Sequence, residues 1–195
     1  MISPAEEIAV LSVSLVDESS LTAFLDLNNA IPSFAWIIGS VFPEFAANSG
    51  IFTNLSLNHL MAIETPKYRL LKKDNKIQIR DYESAIVAKT YVTDNFKEAS
   101  STGFRRIANY IFGGNSKGKS ISMTAPVLVS KDNDTNKHEI LFFMPREYKI
   151  ETLPKPSLES VVVEDMSLGK VASISFGGWA TEKNILYNKE ILKKY

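Results

Sequence analysis

From Pro66 to the carboxyl terminus, apolar and polar positions fall into short runs of period two, separated by turn residues and interrupted by two stretches of helical period. Lys67 to Leu71 and Ile77 to Arg80 flank Asp74-Asn75, and Ile77 and Ile79 alternate with Lys76, Gln78 and Arg80, which predicts a hairpin with one solvated face. Ala85 to Val92 is apolar on both alternating sets and predicts a strand nearer the sheet centre. Thr93 or Asp94 then caps a helix in which Phe96, Ala99, Ser100, Gly103, Phe104, Ile107, Ala108 and Ile111 recur at three and four, one stripe to lie across the sheet. Gly103 sits inside that stripe at a propensity cost of about 1 kcal/mol relative to alanine, which implies close approach by a strand or a ligand.

The stripe ends at Gly113-Gly114, suited to a left-handed helix stop, and Asn115 to Gly118 supplies turn residues that read as a flexible glycine turn. The period then changes to two. Ile121, Met123, Ala125, Val127 and Val129 alternate with Ser120, Ser122, Thr124 and Pro126, a half-buried strand in which Pro126 marks an edge or a bulge. Further strands are predicted over Glu139–Met144, Glu159–Asp165 and Gly169–Phe176, and a second amphipathic helix over Ala180–Tyr195. Val87-Ala-Lys-Thr-Tyr-Val92 before the first helix is weakly repeated as Val171-Ala-Ser-Ile-Ser-Phe176 before the second.

Residues 1–60 lack this clarity. Leu21, Phe24, Leu25 and Asn28 have helical spacing after Ser19 and Ser20, which predicts a helix over Glu18 to Asn29; a second is predicted from Pro32 to about Phe45, and Asn48 to Asn58 reads as a linker. The segment is read as an amino-terminal extension, helical or poorly ordered, before a domain spanning residues 61–195, which is expected to fold without it. A docking arm, an upstream misread start and a membrane-surface element through Phe34, Trp36, Ile37 and Ile38 are the alternatives.

Several ordered strings in the second part resemble the SOUL family of haem-binding proteins: Gly103-Phe-Arg-Arg-Ile-Ala-Asn-Tyr-Ile-Phe112 leading into Met123-Thr-Ala-Pro-Val127, with Ile77-Gln-Ile-Arg-Asp-Tyr82, Phe142-Phe-Met-Pro145 and Phe176-Gly-Gly-Trp179 around them. The resemblance runs from about Glu64 to Tyr195. It implies an α+β fold: an antiparallel twisted sheet curled into a partial barrel from two pseudo-repeated strand–helix units, with two flanking helices. It also implies paired closing strands after the second helix, which this sequence lacks; their absence predicts self-association through exposed strand edges. The function implied is binding and carriage of haem or another tetrapyrrole such as protoporphyrin, without catalysis. A binding module for other flat lipophilic molecules and a protein-interaction scaffold are the alternatives.

Composition narrows the chemistry. Lys plus Arg equals Asp plus Glu at 22 each, so no basic excess points to nucleic acid. There is no cysteine, which removes disulfides, thiolate metal sites and cysteine nucleophiles. The apolar window Ile31 to Ala47 is too short and too interrupted for a membrane span, and no basic segment with an apolar core opens the chain, so the reading is cytoplasmic. The spacing from Gly113 to Ser120 matches a phosphate loop, but a helix precedes it and a strand follows, the reverse of what such a loop needs. Neither His59 in the linker nor His138 beside a polar turn is a convincing axial ligand, and His138 reads as a solvated surface residue.

A tetrapyrrole is a flat apolar disc with two carboxylates, so its binder needs an apolar cleft rimmed by cations. Phe104, Ile111, Phe112, Met123, Phe176 and Trp179 are the candidates for the cleft, and Arg105, Arg106, Lys117 and Lys119 for the rim. The same residues also fit ordinary core packing and solvated charge.

Overall fold

The predicted turn after Asp74 closes at Asn75, which adopts a left-handed φ of 49°, a conformation asparagine tolerates better than other side chains. Strands β3 (Tyr68–Asp74) and β4 (Ile77–Tyr82) leave it as an antiparallel pair. The computed structural model describes residues 10–15, 21–26, 64–131, 137–176 and 181–195. Strand β5 (Ala85–Val92) precedes helix α1 (Phe96–Ile111), whose N-cap is Asn95: its side chain accepts from the Glu98 N–H, one residue beyond the predicted cap. Strands β6 (Val127–Lys131), β7 (His138–Phe143), β8 (Val161–Met166) and β9 (Gly169–Phe176) follow, and helix α2 (Glu182–Lys193) starts at the Thr181 cap.

Two earlier strands were not expected. Residues Val10–Leu15 form β1 and Leu21–Asp26 form β2, so the helix predicted over Glu18 to Asn29 is replaced, over residues 21–26, by strand. Leu21, Ala23 and Leu25 also satisfy period two, and pairing with β1 on one side and β6 on the other decides between the patterns. The helix predicted from Pro32 to Phe45 lies outside the described residues.

Among the described residues one nine-stranded antiparallel sheet results, in the order β3-β4-β9-β1-β2-β6-β7-β5-β8. β1 pairs with β9 and β2 with β6, so the early pair sits inside the sheet and not at its edge. Helix α1 lies on β5, β7 and β8, and α2 on β1 and β9, giving an α+β fold with two flanking helices. Tyr82 of β4 and Val171 of β9 share a buried cluster with Val87, Leu128, Leu141 and Phe143 from the other half of the sheet. A flat sheet would hold these strands far apart, so the sheet curls around that cluster. Its outermost strands, β3 and β8, do not pair with each other, and the barrel stays open.

The other end of the concave face is polar. Lys89 Nζ lies 2.5 Å from Glu164 Oε1 and 3.4 Å from Glu139 Oε1, and the Tyr91 hydroxyl donates to Glu139 at 2.8 Å. Burial opposes the charge on Lys89, but Glu164, Tyr91 and Glu139 outweigh it and hold its pKa above the usual lysine value.

On the convex side, Ala99, Ile107, Tyr110 and Ile111 of α1 pack on Ala88, Val92, Val127, Val129, Ile140 and Phe142. Gly103 is what brings α1 so close: a Cβ there would stand 2.5 Å from two carbons of the Ile140 side chain, so the close approach inferred from its position is to β7. The strand predicted from Ile121 to Val129 is regular only from Val127, because Pro126 has no N–H to offer a ladder. Ahead of it, Ile121 and Ala125 are buried and Ser122 is exposed as the alternation predicts, but Thr124 is buried too, its hydroxyl donating to the Phe143 carbonyl, Met123 is only half-buried, and the stretch makes only single bridges at Ser120 and Thr124.

His138 departs from expectation most. It is 1% exposed, edge-on to the Phe96 ring, and neither ring nitrogen makes a well-formed hydrogen bond among the described residues. Its place on β7 sets the imidazole under the start of α1. Burial and Lys131 on β6 lower its pKa, against the opposing carboxylates of Glu182 on α2 and Asp94 before α1. The unfolded chain therefore takes up this proton first. The stability contributed by the neutral ring is complete above the unfolded value of about 6.5 and is lost as pH falls toward the lowered folded value. Urea midpoints of the parent should fall between pH 7.5 and pH 5 more steeply than those of His138→Leu; parallel profiles would refute the assignment.

Candidate functional site

The signature stretch between α1 and β6 is built around Asn115, a residue the sequence marked only as turn chemistry. Its side chain is buried; Nδ2 donates to the carbonyls of Tyr110 (2.9 Å) and Lys119 (2.7 Å), and Oδ1 accepts from the N–H groups of Lys117 (3.2 Å) and Lys119 (3.1 Å). Gly113 takes the left-handed turn at φ 107°, and Gly114 has no room for a Cβ beside Asn109. The turn also docks on a later loop: the Ser116 N–H donates to the Lys155 carbonyl, the Lys155 N–H to Ser116 Oγ, and the Ser157 N–H to the Gly114 carbonyl. The glycine turn is therefore pinned rather than flexible, and Lys117 and Lys119 are presented from a fixed backbone.

Chain reversal brings Ser120 beside Phe112 as a bridge, and the Ile121 N–H donates to the Ile111 carbonyl. Phe104, Phe112 and Met123 are each half-buried on the edge of the α1 core, together with Tyr148, which no sequence pattern singled out. Lys119 Nζ stands 4.7 Å from the Tyr148 ring centroid, a cation–π contact. Behind it Tyr110 donates its hydroxyl to the Pro154 carbonyl at 2.9 Å; burial, then Tyr148, pushes its pKa up to about 12, so it remains a donor at neutral pH.

The remaining candidates are placed elsewhere or otherwise engaged. Ile111 is fully buried as a core residue of α1, and Phe104 stacks against Phe142 at 5.3 Å between centroids. Phe176 lies in a separate cluster under α2 with Ile174, Ile185 and Leu192. Arg106 Nη1 donates to the Tyr91 carbonyl at 3.0 Å and to Thr90 Oγ1 at 3.4 Å, tying α1 to β5, whereas exposed Arg105 bonds Thr102. Trp179 lies outside the described residues.

Tyr148 also borders a cavity of about 160 Å³, whose wall includes Ile86, Thr124, Met144 and Arg146. Arg146 closes one side by bonding Glu64 Oε1 at 2.7 Å and the Thr65 carbonyl at 2.9 Å. A porphyrin needs more room than that, since pockets for drug-sized ligands run to about 300 Å³ and above. No cluster of three or more His, Asp or Glu suited to a metal ion occurs among the described residues.

A family model described as SOUL heme-binding protein matches residues 63–195. The chain belongs to the SOUL family. Among its curated relatives, Heme-binding protein 1 of Xenopus laevis is 30% identical over 133 residues, covering 63% of this chain and 70% of the relative. Heme-binding protein 1 of Bos taurus is 31% identical over 129 residues, 61% of this chain and 67% of the relative, and Heme-binding protein 2 of Homo sapiens is 29% identical over 134 residues, 63% and 65%. The SOUL match takes in both helices and β3 to β9; β1 and β2 lie ahead of it. No helix among the described residues is long and apolar enough to cross a membrane.

Proposed function

We propose that the chain binds haem or another tetrapyrrole, as the names of its relatives state for them, and carries or buffers it without catalysis. The disc would rest on an open apolar shelf, not in an enclosed cavity, with the half-buried Phe104, Phe112, Met123 and Tyr148 as its surface. Lys117 and Lys119 would meet the propionates. The observation that carries this reading is the pinned turn, which fixes the backbone of both lysines and sets Lys119 against Tyr148 at the end of α1. His138 is too deeply buried to reach a ligand on that shelf, so apolar contact would hold most of the affinity and iron coordination little. On this reading the two strand–helix units are a pseudo-repeat, and self-association has the open edges of β3 and β8 to run through.

Titration with haemin, protoporphyrin and a flat non-porphyrin aromatic tests the reading: the two tetrapyrroles should bind alike and the third weakly. Equal binding of all three would favour a general lipophilic module over a tetrapyrrole carrier. Charge-assisted contacts contribute about 1.5 to 3 kcal/mol each, less where water screens them. Replacing Arg106, Lys117 and Lys119 together by alanine should therefore weaken haemin at least tenfold. The two lysines should account for most of the loss, because Arg106 is already bonded to β5. His138→Ala should leave the Soret spectrum unchanged; a collapse there, with the triple variant binding normally, would reverse the assignment.

A further inference from the structure

The pair β1–β2 is placed where no connection forces it. Residues 27–67 separate β2 from β3, enough chain to let the pair add to either open edge of the sheet. Instead it occupies the middle, between β9 and β6, which stand three strand spacings apart, about 14 Å. One strand could not bridge that gap; two antiparallel strands fill it.

The register shows what recognises the pair. Phe176 of β9, Leu11, Leu25 and Val127 of β6 form one continuous row of partners, and Ile174, Val13, Ala23 and Val129 form the next row on that face. Between them, Ser175 is opposite Ser12, and Ser173 opposite Ser14. In these two rows apolar positions meet across four strands, and a slip of one residue would turn Leu11, Val13, Ala23 and Leu25 to the opposite face, where only Val10 and Phe24 of the pair are apolar. Helix α2, which packs on β9, packs on β1 as well.

We propose that the gap between β6 and β9 is a docking site for a two-stranded amphipathic segment, and that β1 and β2 fill it from within the chain as a separable strand donor. The donor lies ahead of the family-matched residues, and the site belongs to them. The site reads backbone through both exposed ladders and sequence through the alternating rows.

The cysteine-free chain allows a direct test in the full-length protein. The Ser175 N–H donates to Lys76 on the β4 side, so Ser175 and Ser12 form a pair not hydrogen-bonded to each other, with Cα atoms about 4.5 Å apart. That is within disulfide range. Mild oxidation of Ser12→Cys/Ser175→Cys should give an intrachain bond, whereas the offset pair Ser12→Cys/Ile174→Cys should give none. A protease site placed within residues 48–58 then separates donor from acceptor. The two fragments should co-elute at micromolar concentration, and an added labelled peptide of residues 8–28 should exchange into the complex. The same peptide with Leu11→Asp and Val13→Asp should exchange at least tenfold less. Absence of the in-register disulfide, parting of the fragments on cleavage, or equal exchange of the Asp-bearing peptide would each overturn the proposal.

Discussion

Gly103→Ala should lower the stability of the chain, although alanine is the better helix former. The new methyl group would stand 2.5 Å from Ile140 Cδ1 and Cγ1 and 2.8 Å from Ile140 Cβ, all in a side chain that is fully buried. Neither α1 nor β7 can yield freely, because Ile107, Ile111 and Phe142 lock the same interface. Overpacking of this kind costs about 1 to 3 kcal/mol, against roughly 1 kcal/mol regained in helix propensity. The net loss expected in urea unfolding is about 1 kcal/mol for alanine, at most about 2, and larger for Gly103→Val. Ile140→Ala, which by itself costs about 2 to 5 kcal/mol, should be less costly when combined with Gly103→Ala, since the added methyl group fills part of the space that the shortened side chain opens. Strict additivity of the two would show that Gly103 is kept for another reason.

Asn115→Ala should be the most damaging single change near the proposed shelf. It removes two donated and two accepted hydrogen bonds from a buried turn and leaves the carbonyls of Tyr110 and Lys119 short of a partner. A net loss of about 3 kcal/mol is expected, since unpaired buried groups cost roughly 1 to 3 kcal/mol each and water will reach some of them. Function should suffer separately from stability. With the turn released, Lys117 and Lys119 would no longer be held beside Phe112 and Tyr148, and haemin affinity should fall several-fold at temperatures where the far-ultraviolet spectrum is still that of the parent. Parental affinity in a destabilised Asn115→Ala would separate the turn from the ligand and move the site away from the shelf.

Much of the domain from Glu64 onward could be read from local pattern. Ala85–Val92 and Gly169–Phe176 begin and end as their alternation predicts, and α1 follows its stripe to Ile111, because each of these segments satisfies propensity, period and burial together. Gly103 was legible as a close contact because a glycine on the buried stripe of a helix gives up propensity, and the room left by its missing side chain offsets that cost only where a neighbour fills it. Within the site, the glycine turn and its two lysines could be located from sequence. Their rigidity could not, because it depends on Asn115 reaching back to Tyr110 and on Lys155 and Ser157 arriving from a distant loop. Tyr148 escaped notice because no periodic element contains it.

Three outcomes were decided only in three dimensions. Leu21–Asp26 satisfies helical and strand spacing alike, and the unfilled edges of β6 and β9 choose strand. His138 follows a polar turn in sequence, yet its place on β7 sets the ring edge-on to Phe96. Phe176, grouped by sequence with Phe104 and Phe112, faces α2 instead, because the sheet carries the two helices over different strands. Local sequence determines which face of an element is apolar; which neighbour covers that face depends on pairings between residues far apart in the chain, and no local period encodes them.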